Sequence, residues 1–470
     1  MIDIIKFGTD GWRAIIADTY TVNNVARVAT GTALWIKKQS QNPSVVIGYD
    51  CRFNGKMFME TAIKVFLHHN IKVYYAEEFV STPMISMAAR NYSATLGVIL
   101  TASHNPPSYG GYKLKSQFGG PLSPDKVQEV ENLIPDTIHK HILEIEFVDA
   151  IKSKQLIKID FEAEYIQAIE ENFDLDAIRN SNLTLAYDAM YGAGQRVMRK
   201  LFPNIHLLHC EYNPSFMGQA PEPIERNLKE LSEFIKEKGN IDIALATDGD
   251  ADRIGLFGAD GEFIDSHHIM LLLIHYLANY KGQKGKIVTA FSSTPKIGKM
   301  AKHYGLDYEV VKIGFKYIAG IMVEEDVLMG GEESGGIAVK GHIPERDGIW
   351  MGMIIWEFMA KSGKTIQELI HEVYEIVGQF AFERWDLHIT NELKHKIVDN
   401  CKNNTYTSFG EYNVEKVETV DGFKFFLPNE SWVMIRPSGT EPVLRVYAEA
   451  KDINEVRKIL EITKSTITDA

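Results

Sequence analysis

The segment TDGDADR sets Asp248, Asp250 and Asp252 at alternate positions. Three carboxylates this close repel one another, and a loop backbone can aim them at a hard divalent cation that removes the repulsion. An EF-hand fails on its own rules. A loop opening at Asp248 needs Gly at its sixth position and a bidentate Glu at its twelfth, where this chain has Arg253 and Ala259. The competing reading is a solvated acidic turn between the apolar runs IDIALA and IGLFG. Three protein oxygens leave an octahedral ion short of ligands, and phosphate oxygens commonly complete the shell of Mg2+.

The segment TASHNPPSYGGYK can supply that phosphate. Ser103 ends an apolar run, flanked by His104 and Asn105, and Pro106 and Pro107 stiffen the exit. The G-x-S-x-G elbow is missing, which argues against acyl-transfer hydrolysis. A serine facing a metal can instead carry a phosphoryl group, with Lys113 and the cation neutralising charge in transfer. A polar turn with a capping serine is the plain alternative.

Two further loops offer contacts to a substrate. In GGEESGG, two acids and a serine stand between glycine pairs, with little packing purpose. Glu332 and Ser334 there suit the hydroxyls of a polyol such as a sugar, against a flexible turn as the alternative. RPSGTEP joins Arg436 to Ser438, Gly439 and Thr440. Arginine makes bidentate phosphate contacts, and hydroxyls and backbone N–H groups add short donors. This is a phosphate nest without the Walker pattern, set against a hairpin turn with a surface arginine. The glycines of YGAGQR are too partial for a dinucleotide site, and the neighbours His68–His69 and His267–His268 cannot share a helix face.

These loops need strands to hold them. Short apolar runs alternate with longer helical patterns, the signal of βαβ units. VVIGYD (Val45–Asp50), IKVYYAE and LGVIL (Leu96–Leu100) read as strands around a helix at Met57–His69, and LGVIL runs straight into TASHNPP. LTLAYDAM, a helix from Gly194, IHLLHCEY and IDIALATDGD repeat the scheme. KIVTAF, a helix near Lys296–Tyr304, YEVVKI, a helix from Tyr317 and VLMGGEESGG make a third pass. Each pass ends an apolar run in a loop of Gly, Ser, Asp or Glu, the place where open α/β sheets bind ligands. The C-terminal piece differs: WVMI and VLRVYAEA flank RPSGTEP before a closing helix near Ile453–Lys464, an α+β pattern. Linkers near Asp149–Lys158, Gly258–Asp265 and Gly378–Glu383 divide the chain into expected domains 1–150, 151–258, 259–378 and 379–470.

A chain of 470 residues exceeds the roughly 250–300 that one core supports, in line with several domains. The formal net charge of −13 argues against a non-specific nucleic-acid binder, so an anionic ligand must be held by local cations and N–H groups. Cys51, Cys210 and Cys401 lie far apart, with neither a disulfide framework nor zinc spacing, as in a reducing cytosol. MIDIIKFGTDGWR meets Gly and Asp too early for a secretory segment, and the apolar stretch Met270–Ala278 is too short to span a bilayer. A cytoplasmic enzyme with no membrane or nucleic-acid partner is expected.

Taken together, FGTDGWR, TASHNPP…YK, DGDADR, GEESGG and RPSGTEP resemble the α-D-phosphohexomutase superfamily, in the family's order and across nearly the whole chain. The resemblance implies three mixed-sheet α/β domains plus a C-terminal α+β domain around a central cleft. It implies an intramolecular phosphotransferase, a phosphoglucomutase/phosphomannomutase that interconverts hexose 1-phosphate and hexose 6-phosphate through a bisphosphate. Ser103 would be the phosphoserine and, with Asp248, Asp250 and Asp252, would hold Mg2+. Arg13, His104 and Lys113 would serve catalysis. Arg253, Lys316, Glu332, Ser334 and Arg346 would bind substrate, and Arg436, Ser438, Gly439 and Thr440 the non-reacting phosphate. A hexose 1,6-bisphosphate would serve as activator and intermediate. The partners would be small sugar phosphates, and the chain a monomer or homodimer.

GEESGG is closer to glucose-type mutases than the GE-x-SGH of glucosamine-type and many mannose/glucose-type members, so glucose is expected first and mannose second. Where many members carry Asn-Gly before the aromatic, this chain has Gly110–Gly111–Tyr112–Lys113, with the lysine in place. Lys113, a phosphate oxygen and an aspartate oxygen all stand as candidates for the general base. Two other readings remain. One is a non-catalytic sugar-phosphate-binding module, opposed by the intact serine and aspartates. The other is a metal-dependent sugar phosphatase using the same serine, opposed by the second anion site and the sugar loop.

Overall fold

A computed structural model describes residues 3–8, 10–437 and 443–468. The first sheet has strands β1 (Trp12–Ile15), β2 (Ser44–Tyr49), β3 (Lys72–Ala76), β4 (Leu96–Leu100), β5 (Tyr109–Lys115) and β6 (Leu156–Ile159), in the order β1-β5-β4-β2-β3-β6. β2, β3, β4 and β6 run parallel, and β5 and β1 add on antiparallel. The continuous apolar runs of β2 and β4 follow from burial on both faces of the sheet.

The second sheet comprises β7 (Leu185–Asp188), β8 (His206–Leu208), β9 (Ile243–Thr247), β10 (Ile254–Gly258) and β11 (Phe263–Ile264). β9 and β10 form a hairpin in which Thr247 faces Ile254, so the aspartate loop is its turn. The third sheet has β12 (Lys286–Ala290), β13 (Tyr308–Val311), β14 (Val327–Gly331) and β15 (Ile337–Val339). There Gly331 faces Ile337, and residues 332–336 make the turn.

The last domain is α+β. β16 (Ala381–His388) begins it, followed by the ribbon β17 (Ser408–Phe409) and β18 (Tyr412–Asn413). β19 (Lys416–Glu418), β20 (Phe423–Phe426), β21 (Trp432–Pro437) and β22 (Val443–Ala450) complete an antiparallel sheet in the order β16-β22-β21-β20-β19. The closing helix Ile453–Thr468 buries Val456, Ile459 and Leu460 with Val433, Ile435 and Leu444.

The expected strands and helices are present, and the serine, aspartate and GEESGG loops leave the carboxyl ends of β4, β9 and β14. Two sheets overrun their expected ends. β6 lies past residue 150 yet pairs with β3, and β11 lies past residue 258 yet pairs with β10. Short edge strands carry too little pattern to reveal which sheet takes them. Lys113 is also on a strand, β5, inserted between β1 and β4. Among the described residues no helix is long and apolar enough to cross a membrane.

One apolar cluster runs through the first three domains, joining Ile85, Tyr165, Leu185, Ile254, Met270 and Trp356. The helix Gly348–Ser362 is apolar almost all round, as a core helix must be. The Asp347 side chain caps it through the Trp350 N–H, and Gly363 ends it in the left-handed conformation. Just before this helix, Glu345 accepts a 2.6 Å hydrogen bond from Lys115 of β5, and both side chains are fully buried. This ion pair bolts the first domain to the third. Glu345→Leu, which strands the lysine, is expected to destabilise the protein by about 3–5 kcal/mol, and adding Lys115→Met should recover most of that. Urea unfolding of the single and double variants measures it; equal losses in both would remove the charge pair from the account.

Candidate active site

Ser103 lies one turn beyond β4 in the left-handed region, with φ +51°. A non-glycine residue held there costs on the order of 1–3 kcal/mol and persists only if its surroundings enforce it. They do. The Ser103 N–H donates to Thr101 Oγ1 (2.8 Å), whose hydroxyl donates to Asp50 Oδ2 (2.5 Å). Buried Arg52 donates to the carbonyls of Ser103 and Asn105 (2.6 Å each), Pro106 (2.9 Å) and Tyr109 (3.0 Å). One guanidinium thus gathers four carbonyls and clamps the serine loop.

The aspartate loop arrives from the second domain. Asp248 Oδ1 accepts the backbone N–H groups of Asp252 (2.9 Å) and Arg253 (3.0 Å), and its Oδ2 accepts the Ser103 hydroxyl at 2.8 Å. The approach is so close that a Cβ on Gly249 would sit 2.6 Å from the Ser103 carbonyl oxygen. Asp248, Asp250 and Asp252 are fully buried, and one oxygen from each lies within 4.8 Å of the others. Burial, reinforced by the charges of Asp250 and Asp252, pushes the Asp248 pKa well above the usual carboxylate range. Burial also opposes ionisation of Asp250, but the Lys113 charge and hydrogen bonds from Lys113 and Thr82 bring its pKa below that range.

Asp250 Oδ1 and Asp252 Oδ1 are buried without a hydrogen-bond partner. Buried carboxylate oxygens without donors are costly, and a divalent cation satisfies several at once. The all-oxygen donor set, three carboxylates and a hydroxyl, suits Mg2+ or Mn2+. The residues fit such an ion.

Cations close the site. Lys113 Nζ lies 2.8 Å from Asp250, 3.1 Å from Asp252 and 2.9 Å from Asp10. Arg346 Nη2 is 2.7 Å from both Asp10 and Asp252, and Arg13 Nη1 donates to Asn105 Oδ1 at 2.5 Å. Arg253 faces Glu222 at 3.5 Å. Lys113, one of the candidate bases, meets three carboxylates here. Burial disfavours its charge, but Asp10, Asp250 and Asp252 outweigh burial and raise its pKa. His104 Nδ1 lies 3.3 Å from Ser103 Oγ. Burial, then the charges of Arg253, Arg13, Lys113 and Arg346, push its pKa well down, leaving a neutral imidazole beside the hydroxyl.

Glu332 sits in the turn after β14, where Oε1 accepts the Gly314 N–H at 3.0 Å. Burial pushes its pKa up to about 7 against the pull of Arg346. A Cβ on Gly336 would lie 2.4 Å from Arg346 Cδ, so the glycine lets the arginine pass. Ser334 is half-buried in the same turn. Lys316 lines a cavity with Asp10 and Gly11. Arg436 stands apart on β21, 3.3 Å from Asp421, although Tyr447 feels the charges of both Glu333 and Arg436. Ser438, Gly439 and Thr440 lie outside the described residues.

Sequence reasoning passed over Asp10 and Arg52. Both carried a signal: Asp10 sits in FGTDGWR beside Arg13, and Arg52 follows the strand end VVIGYD.

The chain matches the phosphoglucomutase/phosphomannomutase family throughout: alpha/beta/alpha domain I over residues 5–140, domain II over 163–261, domain III over 265–377 and the C-terminal domain over 396–464. It is 31% identical over 468 residues to the phosphoglucosamine mutase of Methanocaldococcus jannaschii, covering 97% of this chain and 96% of that one. It is 29% identical over 470 residues to the phosphoglucomutase/phosphomannomutase of Thermococcus kodakarensis, covering 99% and 98%. The crystal structure of a putative phosphomannomutase from Thermus thermophilus superposes with a TM-score of 0.88 at 29% identity, over 100% of both chains.

The contact between the two loops makes a direct prediction. Gly249→Ala must displace the Ser103 carbonyl, and a displacement of about 1 Å at a reacting group can cost about a hundredfold in rate. The variant is expected to keep wild-type circular dichroism while losing turnover on that scale. Full turnover would show that the loops need not touch.

Proposed function

The chain belongs to the phosphoglucomutase/phosphomannomutase family of intramolecular phosphotransferases; from that premise we propose that it interconverts hexose 1-phosphate and hexose 6-phosphate through a phosphoserine at Ser103. Glucose is the first substrate and mannose the second, and the enzyme works in the cytoplasm as a monomer or homodimer. The observation that carries this reading is the contact of Ser103 Oγ with Asp248, inside three buried carboxylates flanked by Lys113 and Arg346.

Phosphorylated Ser103 gives its phosphoryl group to the free hydroxyl of a hexose monophosphate. The bond from phosphorus to Oγ breaks as the bond to the sugar oxygen forms. The hydroxyl proton passes to a nearby acceptor and is returned to Ser103 Oγ, and His104 Nδ1 lies 3.3 Å from that oxygen. Bound Mg2+, held by Asp248, Asp250, Asp252 and the phosphoserine, would neutralise charge on the transferring group. Lys113, Arg13 and Arg346 supply fixed positive charge where the phosphoryl oxygens gain negative charge. Glu332 and Ser334 hold sugar hydroxyls in either orientation, with Arg253 and Lys316 alongside. Arg436, Ser438, Gly439 and Thr440 hold the phosphate that is not reacting. The hexose 1,6-bisphosphate then turns over, so that its other phosphate meets Ser103.

Relatives named phosphoglucosamine mutases favour a second reading, with glucosamine in place of glucose; the sequence GEESGG supports glucose. Incubating the enzyme and a trace of bisphosphate with the 1-phosphates of glucose, mannose and glucosamine ranks the three. Isomerised sugar phosphate should greatly exceed free phosphate, and Ser103→Ala should abolish isomerisation without unfolding the protein. Free phosphate as the main product would make the enzyme a phosphatase.

The distal anchor gives a separate prediction. Losing a charge-assisted contact costs about 1.5–3 kcal/mol, so Arg436→Ala should lower kcat/KM about tenfold to a hundredfold, with effects on both constants. An unchanged kcat/KM would take the C-terminal domain out of the active site.

A further inference from the structure

Asp250 is held by a residue from another domain that has no part in the chemistry described above. Thr82 opens the helix Thr82–Asn91 of the first domain, directly after its cap Ser81 and before Pro83. An N–H in a first helical turn has no partner within the helix. That of Thr82 donates to the Asp250 carbonyl at 2.9 Å, and its hydroxyl donates to Asp250 Oδ2 at 2.5 Å. Both residues are fully buried. The helix does not need the hydroxyl, because the Ser81 side chain already accepts the Met84 N–H. Lys113 meets the same oxygen, Oδ2, at 2.8 Å. Asp250 therefore has one oxygen with two donors and another, Oδ1, buried without any. A β-branched side chain with few rotamers is a stiff strut for such a task.

We propose that Thr82 is a positioning residue of the cation site, pinning Asp250 through its hydroxyl and N–H so that Oδ1 is the oxygen presented to the ion. The inference rests on Asp248, Asp250 and Asp252 being the cation ligands. Groups that orient a metal ligand commonly change affinity about 10- to 100-fold when removed. Thr82 adds to Ser103 a second hydroxyl from the first domain that meets the aspartates of the second.

The test is Mn2+ binding to the full-length protein, followed by electron paramagnetic resonance without substrate. It compares wild type, Thr82→Val, Thr82→Ser and Asp250→Asn. Thr82→Val keeps the shape and removes the hydroxyl, and should weaken Mn2+ about 10- to 100-fold. Thr82→Ser, which restores the hydroxyl, should lose far less than the roughly 10-fold minimum expected of the valine variant. In assays, Thr82→Val should need more Mg2+ for half-activation yet approach wild-type kcat at saturation. A purely structural threonine would lower Tm and leave Mn2+ affinity alone, and that result overturns the proposal. So would a serine variant as weak as the valine variant. Should Thr82→Val fail to fold, Thr82→Ala carries the same comparison. If Asp250→Asn binds as tightly as wild type, the reading of the loop as a cation site falls and this inference with it; if only Asp250→Asn weakens binding, the loop reading stands and Thr82 alone is excluded.

Discussion

Buried negative charge is the constraint around which this protein is built. Asp248, Asp250 and Asp252 have no exposure to solvent, and Asp10 joins them through Lys113 and Arg346. Carboxylates withdrawn from water are stable only where partners replace the lost hydration. Those partners come from widely separated parts of the chain: Lys113 from β5, Arg346 from the segment before the helix Gly348–Ser362, and Ser103 from the loop after β4. Three domains must therefore dock in one arrangement for the cluster to be neutralised. Domain packing and active-site assembly are the same event.

The same logic explains how a chain of net charge −13 receives an anion. Overall charge sets the distant field, but a narrow site is governed by the charges lining it. His104 registers that local field: burial disfavours its protonated form, and four neighbouring cations, Arg253, Arg13, Lys113 and Arg346, disfavour it further. Lys113 and Arg346 interleave with the carboxylates beside Ser103, so positive charge stands within the site itself. Fixed charges of both signs around one hydroxyl suit phosphoryl transfer, since its catalysis is mainly positioning and charge stabilisation.

Much of this was legible in the sequence because the functional loops follow apolar strand runs. LGVIL, IDIALA and VLM announce buried strands, and residues at their ends have no packing reason to be Ser, Asp or Glu. The strand Tyr109–Lys115 was hidden: YGGYKLK opens Tyr-Gly-Gly after a proline-rich loop, and its lysines are buried only because carboxylates from elsewhere meet them. The carboxylate partners of Lys113 were hidden for the same reason, since Asp250 lies 137 positions away and composition says nothing of that meeting. Thr82 was invisible for want of any local pattern, and the place of Arg52 after VVIGYD gave no hint of the carbonyls it gathers. Each matters through backbone or side-chain contacts that exist only after the loops converge.

The central claim is that Ser103 carries the phosphoryl group between its two positions on the sugar. The most direct measurement is to expose the enzyme and Mg2+ to glucose 1,6-bisphosphate, quench, and map phosphorylation by peptide mass spectrometry before and after adding glucose 6-phosphate. The account predicts one phosphoryl group on the peptide containing Ser103, lost to the sugar as bisphosphate when the monophosphate is added. Phosphate on a different residue, or on Ser103 but not transferable to sugar, would contradict it.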